Sequence, residues 1–248
     1  MARRADATAE RRVRLSKDRV LRAAIGLADR GGIGSLTMRR LAHELGVEAM
    51  SPYHYVDGKD DILKGIVAIV VSEIDLPAGG ADWKAAIRRS AISFHDALSR
   101  HPWAASLLMS AHGIGPARVR YIEALLRRLR EAGFSTDLTD QAYHALDSHI
   151  LGSTLWAEGY TAVVKDHDFA RTLPRQFPVD DYPYFWEHAR EHATKAGSGG
   201  KSVFEFGLDL ILDGLEDGLE KIHAAAPRGS VSTPRRRNGS KPAAPRLE

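Results

Sequence analysis

The sequence predicts an all-α protein, with a small N-terminal three-helix head carried on a larger helical body. Three observations point there. Apolar residues recur three and four positions apart from Val20 to Ile222, the repeat of amphipathic helices. Ser16, Thr37, Asp82 and Pro116 stand where helices can start, and Gly31-Gly32, Gly46 and Gly133 where they can stop. No segment alternates apolar and polar residues as a half-buried strand does.

Residues 1–15 hold Arg3, Arg4, Arg11, Arg12 and Arg14 with little apolar content, the composition of a disordered basic arm. Ser16 caps a first helix whose inner face is Val20, Leu21, Ala24, Leu27 and Ala28, with Asp18 near its positive end. Thr37 caps a second helix, in which Met38, Leu41, Ala42 and Leu45 share one face. Gly46 supplies the left-handed stop. The next segment, Ser51-Pro52-Tyr53-His54-Tyr55-Val56, offers hydroxyls, imidazole and phenols instead of an apolar stripe. A segment that exposes such groups after a glycine turn suits the reading of a DNA groove.

Pro52 allows two arrangements of that segment, because proline inside a helix removes a backbone bond and clashes with the preceding turn. In one, the helix starts late, with Ser51 as cap and Pro52 in its first position. In the other, it starts near Glu48 and kinks.

The run from Ser16 to Ile66 resembles the DNA-binding head of the tetracycline-repressor family of bacterial regulators. The resemblance rests on the first helix, Leu36-Thr37, Leu41-Ala42, Leu45-Gly46-Val47, Tyr53-His54-Tyr55-Val56, and Lys59 with Ile62-Leu63. Asp147-Ser148-His149-Ile150-Leu151-Gly152 and Phe204-Glu205-Phe206-Gly207-Leu208 are similar to the C-terminal domain of the tetracycline-repressor subclass. The resemblance implies a repressor that binds a palindromic operator in double-stranded DNA as a homodimer and is released by a small-molecule effector. It implies a base contact for Arg39, base-facing positions for Ala49, Met50 and Ser51, and phosphate contacts for Thr37, Tyr53 and Lys59. His54 and Tyr55 face bases or backbone, or, for Tyr55, the first helix.

Charge follows the same division. Residues 1–63 carry 12 Lys/Arg against 9 Asp/Glu, residues 64–224 carry 17 against 22, and residues 225–248 carry 6 against 1. A basic head on an acidic body is the polarity expected of a phosphate-binding head. The chain has no cysteine, which excludes disulfides and thiolate metal sites. Its N-terminus lacks an apolar signal core, and no apolar run approaches the ~18 residues of a membrane span. A cytoplasmic protein without membrane attachment is expected.

The divisions are 1–15 (arm), 16–63 (DNA-binding head), 64–223 (ligand-binding and dimerisation body) and 224–248 (disordered basic tail). A helix from about Asp60 to Ile74 joins head to body. The next carries Trp83, Ile87, Ala91, Phe94 and Leu98 inward, and a short one spans Trp103 to about His112. Another starts at Pro116, with Val119, Ile122, Leu126 and Leu129 inward and Arg118, Arg127, Arg128 and Arg130 outward. A polar, proline-broken stretch covers 165–184, a short aromatic helix surrounds Phe185-Trp186, and Gly197-Ser198-Gly199-Gly200 reads as a flexible loop.

Two helices, Leu138 to Gly159 and Val203 to His223, look suited to self-association. Leu146, Ile150 and Ser153 on one, and Leu208, Ile211, Leu215 and Leu219 on the other, are the expected interface, alternatively an intramolecular core. Phe94, His95, Trp103, His112 and Trp156 are candidate lining residues of an effector pocket, or ordinary core aromatics. His188 and His192 have the spacing of a shared metal but no evident third ligand. No catalytic constellation and no cofactor motif is found. A helical binding or catalytic protein that kept the fold without an operator is the alternative function.

Overall fold

The computed structural model describes residues 14–80, 82–165, 167–195 and 202–225. Most of the basic arm, the Gly197–Gly200 loop and nearly all of the basic tail lie outside them. Among the described residues every regular element is helical: α1 (Lys17–Gly31), α2 (Met38–Leu45), α3 (Lys59–Ser72), α4 (Trp83–Arg100), α5 (Trp103–Leu108), α6 (Pro116–Glu131), α7 (Thr136–Lys165), α8 (His167–Gln176), α9 (Pro183–Lys195) and α10 (Val203–Ala225). Short 3-10 turns occur at Ile33–Ser35, Ser51–His54 and Ala111–Gly113.

The head forms as its local chemistry dictates. The Ser16 hydroxyl accepts from the Arg19 N–H, and the Thr37 hydroxyl accepts from the Arg40 N–H, so both helix starts are capped. Gly46 sits at φ 67° and closes α2 in the left-handed region. Val20, Leu21, Ala24, Leu41, Leu45, Val56 and Ile62 bury one core between α1, α2 and α3. Gly65 lets α1 and α3 cross closely: a Cβ there would lie 2.7 Å from Leu21 Cδ2, inside van der Waals contact.

The head is bonded to the body at several points. Asp29 of α1 accepts from Trp103 Nε1 at 2.7 Å and meets His101 Nδ1 at 2.8 Å. His112 Nε2 meets Asp60 of α3 at 2.7 Å. α3 itself runs from the head into the body core, where Ile66, Val67, Val70 and Val71 are buried.

Three expectations for the body need correction. First, α6 is turned relative to its predicted face. Ala117, Arg118, Tyr121, Leu125, Arg128 and Leu129 are buried, while Val119 is exposed. Arg118 pairs with Asp147 of α7 and Arg128 donates to the Gly80 carbonyl, so both guanidinium groups face inward. Second, the proline-broken stretch contains α8, which carries Pro174 in its last turn. Third, the helix after Trp103 stops at Leu108, and Ala111–Gly113 forms a separate 3-10 turn. Gly113 packs too closely on the Leu108 carbonyl to admit a Cβ.

Candidate operator surface and effector body

The segment after α2 forms neither of the two expected helices in full. It is a run of 3-10 turns in which Ser51 N–H bonds Glu48 O, Tyr53 N–H bonds Met50 O, and Tyr55 and Val56 N–H both bond Pro52 O. The late start is the arrangement it approaches, with Met50 rather than Ser51 in the cap position and no side-chain cap. Pro52 is buried, and at the second position of the turn its missing N–H leaves no gap in the bonding.

This geometry decides which head residues are presented. Thr37, Arg39, Ala49, Met50, Tyr53, His54 and Lys59 are exposed, and Ser51 is half-buried. Met50 and Tyr53 are 67% and 43% exposed, which is unusual for large apolar side chains and places them on the open face. Tyr55 is half-buried against the head core, so it takes the packing role among those open to it. Arg39 and Arg40 project from the first turn of α2, and Lys59 stands at the first turn of α3.

The five candidate pocket residues do not converge on one cavity. Phe94 is fully buried and meets Tyr121 edge-on at 5.1 Å. Trp103 is consumed by its bond to Asp29. Trp156 is 55% exposed on α7. His95 lines an open cavity of about 350 Å³ with Ser99, Pro102, Thr154, Ala157 and Glu158. Its ring stacks on Phe204 at 3.9 Å, and burial pushes its pKa below the usual histidine range. His149 stacks on the same phenyl ring at 5.1 Å. His112 borders a second cavity of about 150 Å³ between α3 and the start of α6.

A family model described as the tetracyclin repressor-like C-terminal domain matches residues 76–219. The chain is 32% identical over 214 residues to the transcriptional repressor DrrR1 of Streptomyces coeruleorubidus, covering 82% of this chain and 77% of that one.

The chain belongs to the tetracycline-repressor family.

Its fold matches a possible TetR family transcriptional regulator from Streptomyces coelicolor A3(2) with a TM-score of 0.67 at 28% identity, over 82% of this chain and all of that one. It also matches BioQ solved with its natural double-stranded DNA operator, with a TM-score of 0.56 at 26% identity, over 82% of this chain and 99% of that one. The protein is thus a DNA-binding transcriptional repressor of this family. No helix among the described residues is long and apolar enough to cross a membrane.

The residues expected at a dimer interface pack as follows within one subunit. Leu146, Ile150, Leu208, Leu215 and Leu219 are already buried within one subunit, and Ile211 and Ser153 are partly buried. They pack α10 against α7 and α4. The apolar side left open on α10 is Val203, Phe206 and Leu210, at 75%, 58% and 59% exposure. Ion pairs flank the inward face: Lys84 with Asp213 and Glu216, and Arg88 with Glu205 and Asp209.

Proposed function

We propose that this repressor binds a palindromic operator with the exposed face of its head, working as a cytoplasmic, non-catalytic homodimer. The observation that carries this is the joint exposure of Arg39, Ala49, Met50, Tyr53, His54 and Lys59 around one capped helix hairpin. Arg39 reads a base edge, since its guanidinium matches guanine O6 and N7. Met50 and Ala49 meet thymine methyls, and Ser51 and His54 add hydrogen bonds. Thr37, Tyr53 and Lys59 hold phosphates and so fix register.

The effector acts from the body through α3. α3 contributes Ile62 to the head core and Val67, Val70 and Val71 to the body core, so a shift of its body half carries the head with it. A ligand that favours a state whose two reading segments no longer stand about 34–36 Å apart, one turn of DNA, releases the operator.

Titration of genomic fragments with competitor DNA at two salt concentrations tests operator binding: a specific complex survives competitor, and non-specific binding alone does not. Arg39→Ala is expected to cost about 1–3 kcal/mol of specific binding and to relax preference at one operator position. Lys59→Ala weakens binding evenly across sequences and lowers the salt slope by about one. Identical behaviour of the two variants would remove Arg39 from the base contacts.

A further inference from the structure

Asp29 belongs to the head, near the end of α1, yet its carboxylate is turned to the body. One oxygen, Oδ1, accepts from Trp103 Nε1 at 2.7 Å and lies 2.8 Å from His101 Nδ1. Trp103 opens α5 and is 5% exposed. A buried indole N–H needs an acceptor, because a donor left unpaired away from water is costly. Here the head supplies that acceptor. Moving α1 away from the α4–α5 junction breaks the bond, so one placement of α1 on the body is favoured over its neighbours.

The end of α1 is in turn tied to α2. Ser35 Oγ donates to the Leu27 carbonyl at 3.1 Å, and Arg30 pairs with Glu44 of α2 at 2.7 Å. A Cβ at Gly31 would lie 2.9 Å from Ser35 Cβ, so the turn between the two helices closes tightly on α1. Leu27 and Ala28, beside Asp29, are buried in the same core as Leu41 and Leu45 of α2. Arg39 projects from the first turn of that helix. Bonds and packed side chains therefore lead from Trp103 and His101, through Asp29, to the helix that carries Arg39. His112 holds the first turn of α3 through Asp60. Ties on two different helices fix the direction of the head as well as its position.

We infer that Asp29, held by Trp103 and His101, is a positioning residue for operator binding: it sets the direction of α2, and with it the half-site separation that the dimer accepts. This rests on the homodimer and palindromic operator proposed above, and names what fixes the spacing. Each head meets one half-site, and both must engage together, about 34–36 Å apart. One base pair added at the operator's centre moves the half-sites by about 3.4 Å and turns them by about 35°. A head held through Asp29 resists that turn. A head released from the body follows it, and gives up the preorganisation that favours the original spacing.

The test uses the full-length protein and an operator fragment recovered from the genomic titration, as it is and with one base pair inserted at its centre. The native protein is expected to bind the original fragment at least tenfold tighter than the lengthened one. Asp29→Ala removes the acceptor at a side chain that is 31% exposed, and so opens no cavity in the core. Trp103→Phe keeps a ring in the core without the N–H. Each should reduce the ratio to threefold or less, with circular dichroism showing that the protein is folded. Asp29→Asn, which retains an oxygen acceptor, should keep the ratio within twofold of the native value. An unchanged ratio in Asp29→Ala, including the case where both fragments weaken equally, would overturn the positioning role. So would an Asp29→Asn protein that behaved like Asp29→Ala. Equal binding of the two fragments by the native protein would instead defeat the two-half-site reading. Native discrimination that survives in the variants defeats the role of Asp29 alone.

Discussion

Leu208→Glu is expected to abolish cooperative folding of the subunit, while Leu210→Glu, two positions along the same helix, gives folded monomers. Leu208 is fully buried and Leu210 is 59% exposed. An ionised carboxylate taken out of water without a partner costs several kcal/mol, comparable with the roughly 5–15 kcal/mol that holds a domain together. At Leu208 that cost falls on the packing of α10 against α7 and α4. At Leu210 the subunit core is untouched, and the charge instead enters the exposed apolar face of α10, on which we expect a second copy to pack. Circular dichroism melts and light scattering separate the two results. Leu208→Glu should lose its thermal transition. Leu210→Glu, reinforced by Phe206→Glu, should keep helix content, scatter as a monomer and lose operator binding, because a single half-site contact is weak. A Phe206→Glu/Leu210→Glu protein that remained dimeric would place the interface elsewhere.

The contrast between those neighbours also shows where sequence reasoning stops. Helix starts and stops in the head were legible because their causes are local: Ser16 and Thr37 bond N–H groups three residues on, and Gly46 adopts its positive φ within its own turn. Pro52 was legible as an anomaly but not as an outcome: its ring is buried and the segment forms 3-10 turns, which depends on packing that spacing does not encode. The existence of the body helices followed from periodicity, but their facing did not. α10 is apolar on two sides, and the side that faces inward is the one flanked by the acidic residues that meet Lys84 and Arg88 on distant α4. On α6, Arg118 and Arg128 count as outward residues in any apolar pattern. Their acceptors, Asp147 and the Gly80 carbonyl, come from remote parts of the chain. The candidate pocket residues share no single cavity for a related reason: the bond to Asp29 uses Trp103 to tie the head to the body, and no sequence spacing announces it.

Asp147→Ala is expected to destabilise the protein by about 3–5 kcal/mol, because removing one partner of a buried ion pair strands the other charge. For a chain of this size, that lowers the melting temperature by roughly 10 °C. Arg118→Met/Asp147→Leu should recover most of the loss, since apolar side chains of similar volume replace a buried pair at little net cost. A double-mutant cycle on the two sites then gives a large coupling. An Asp147→Ala protein that melted with the native protein would overturn this expectation, since Arg118 would then be balanced without Asp147.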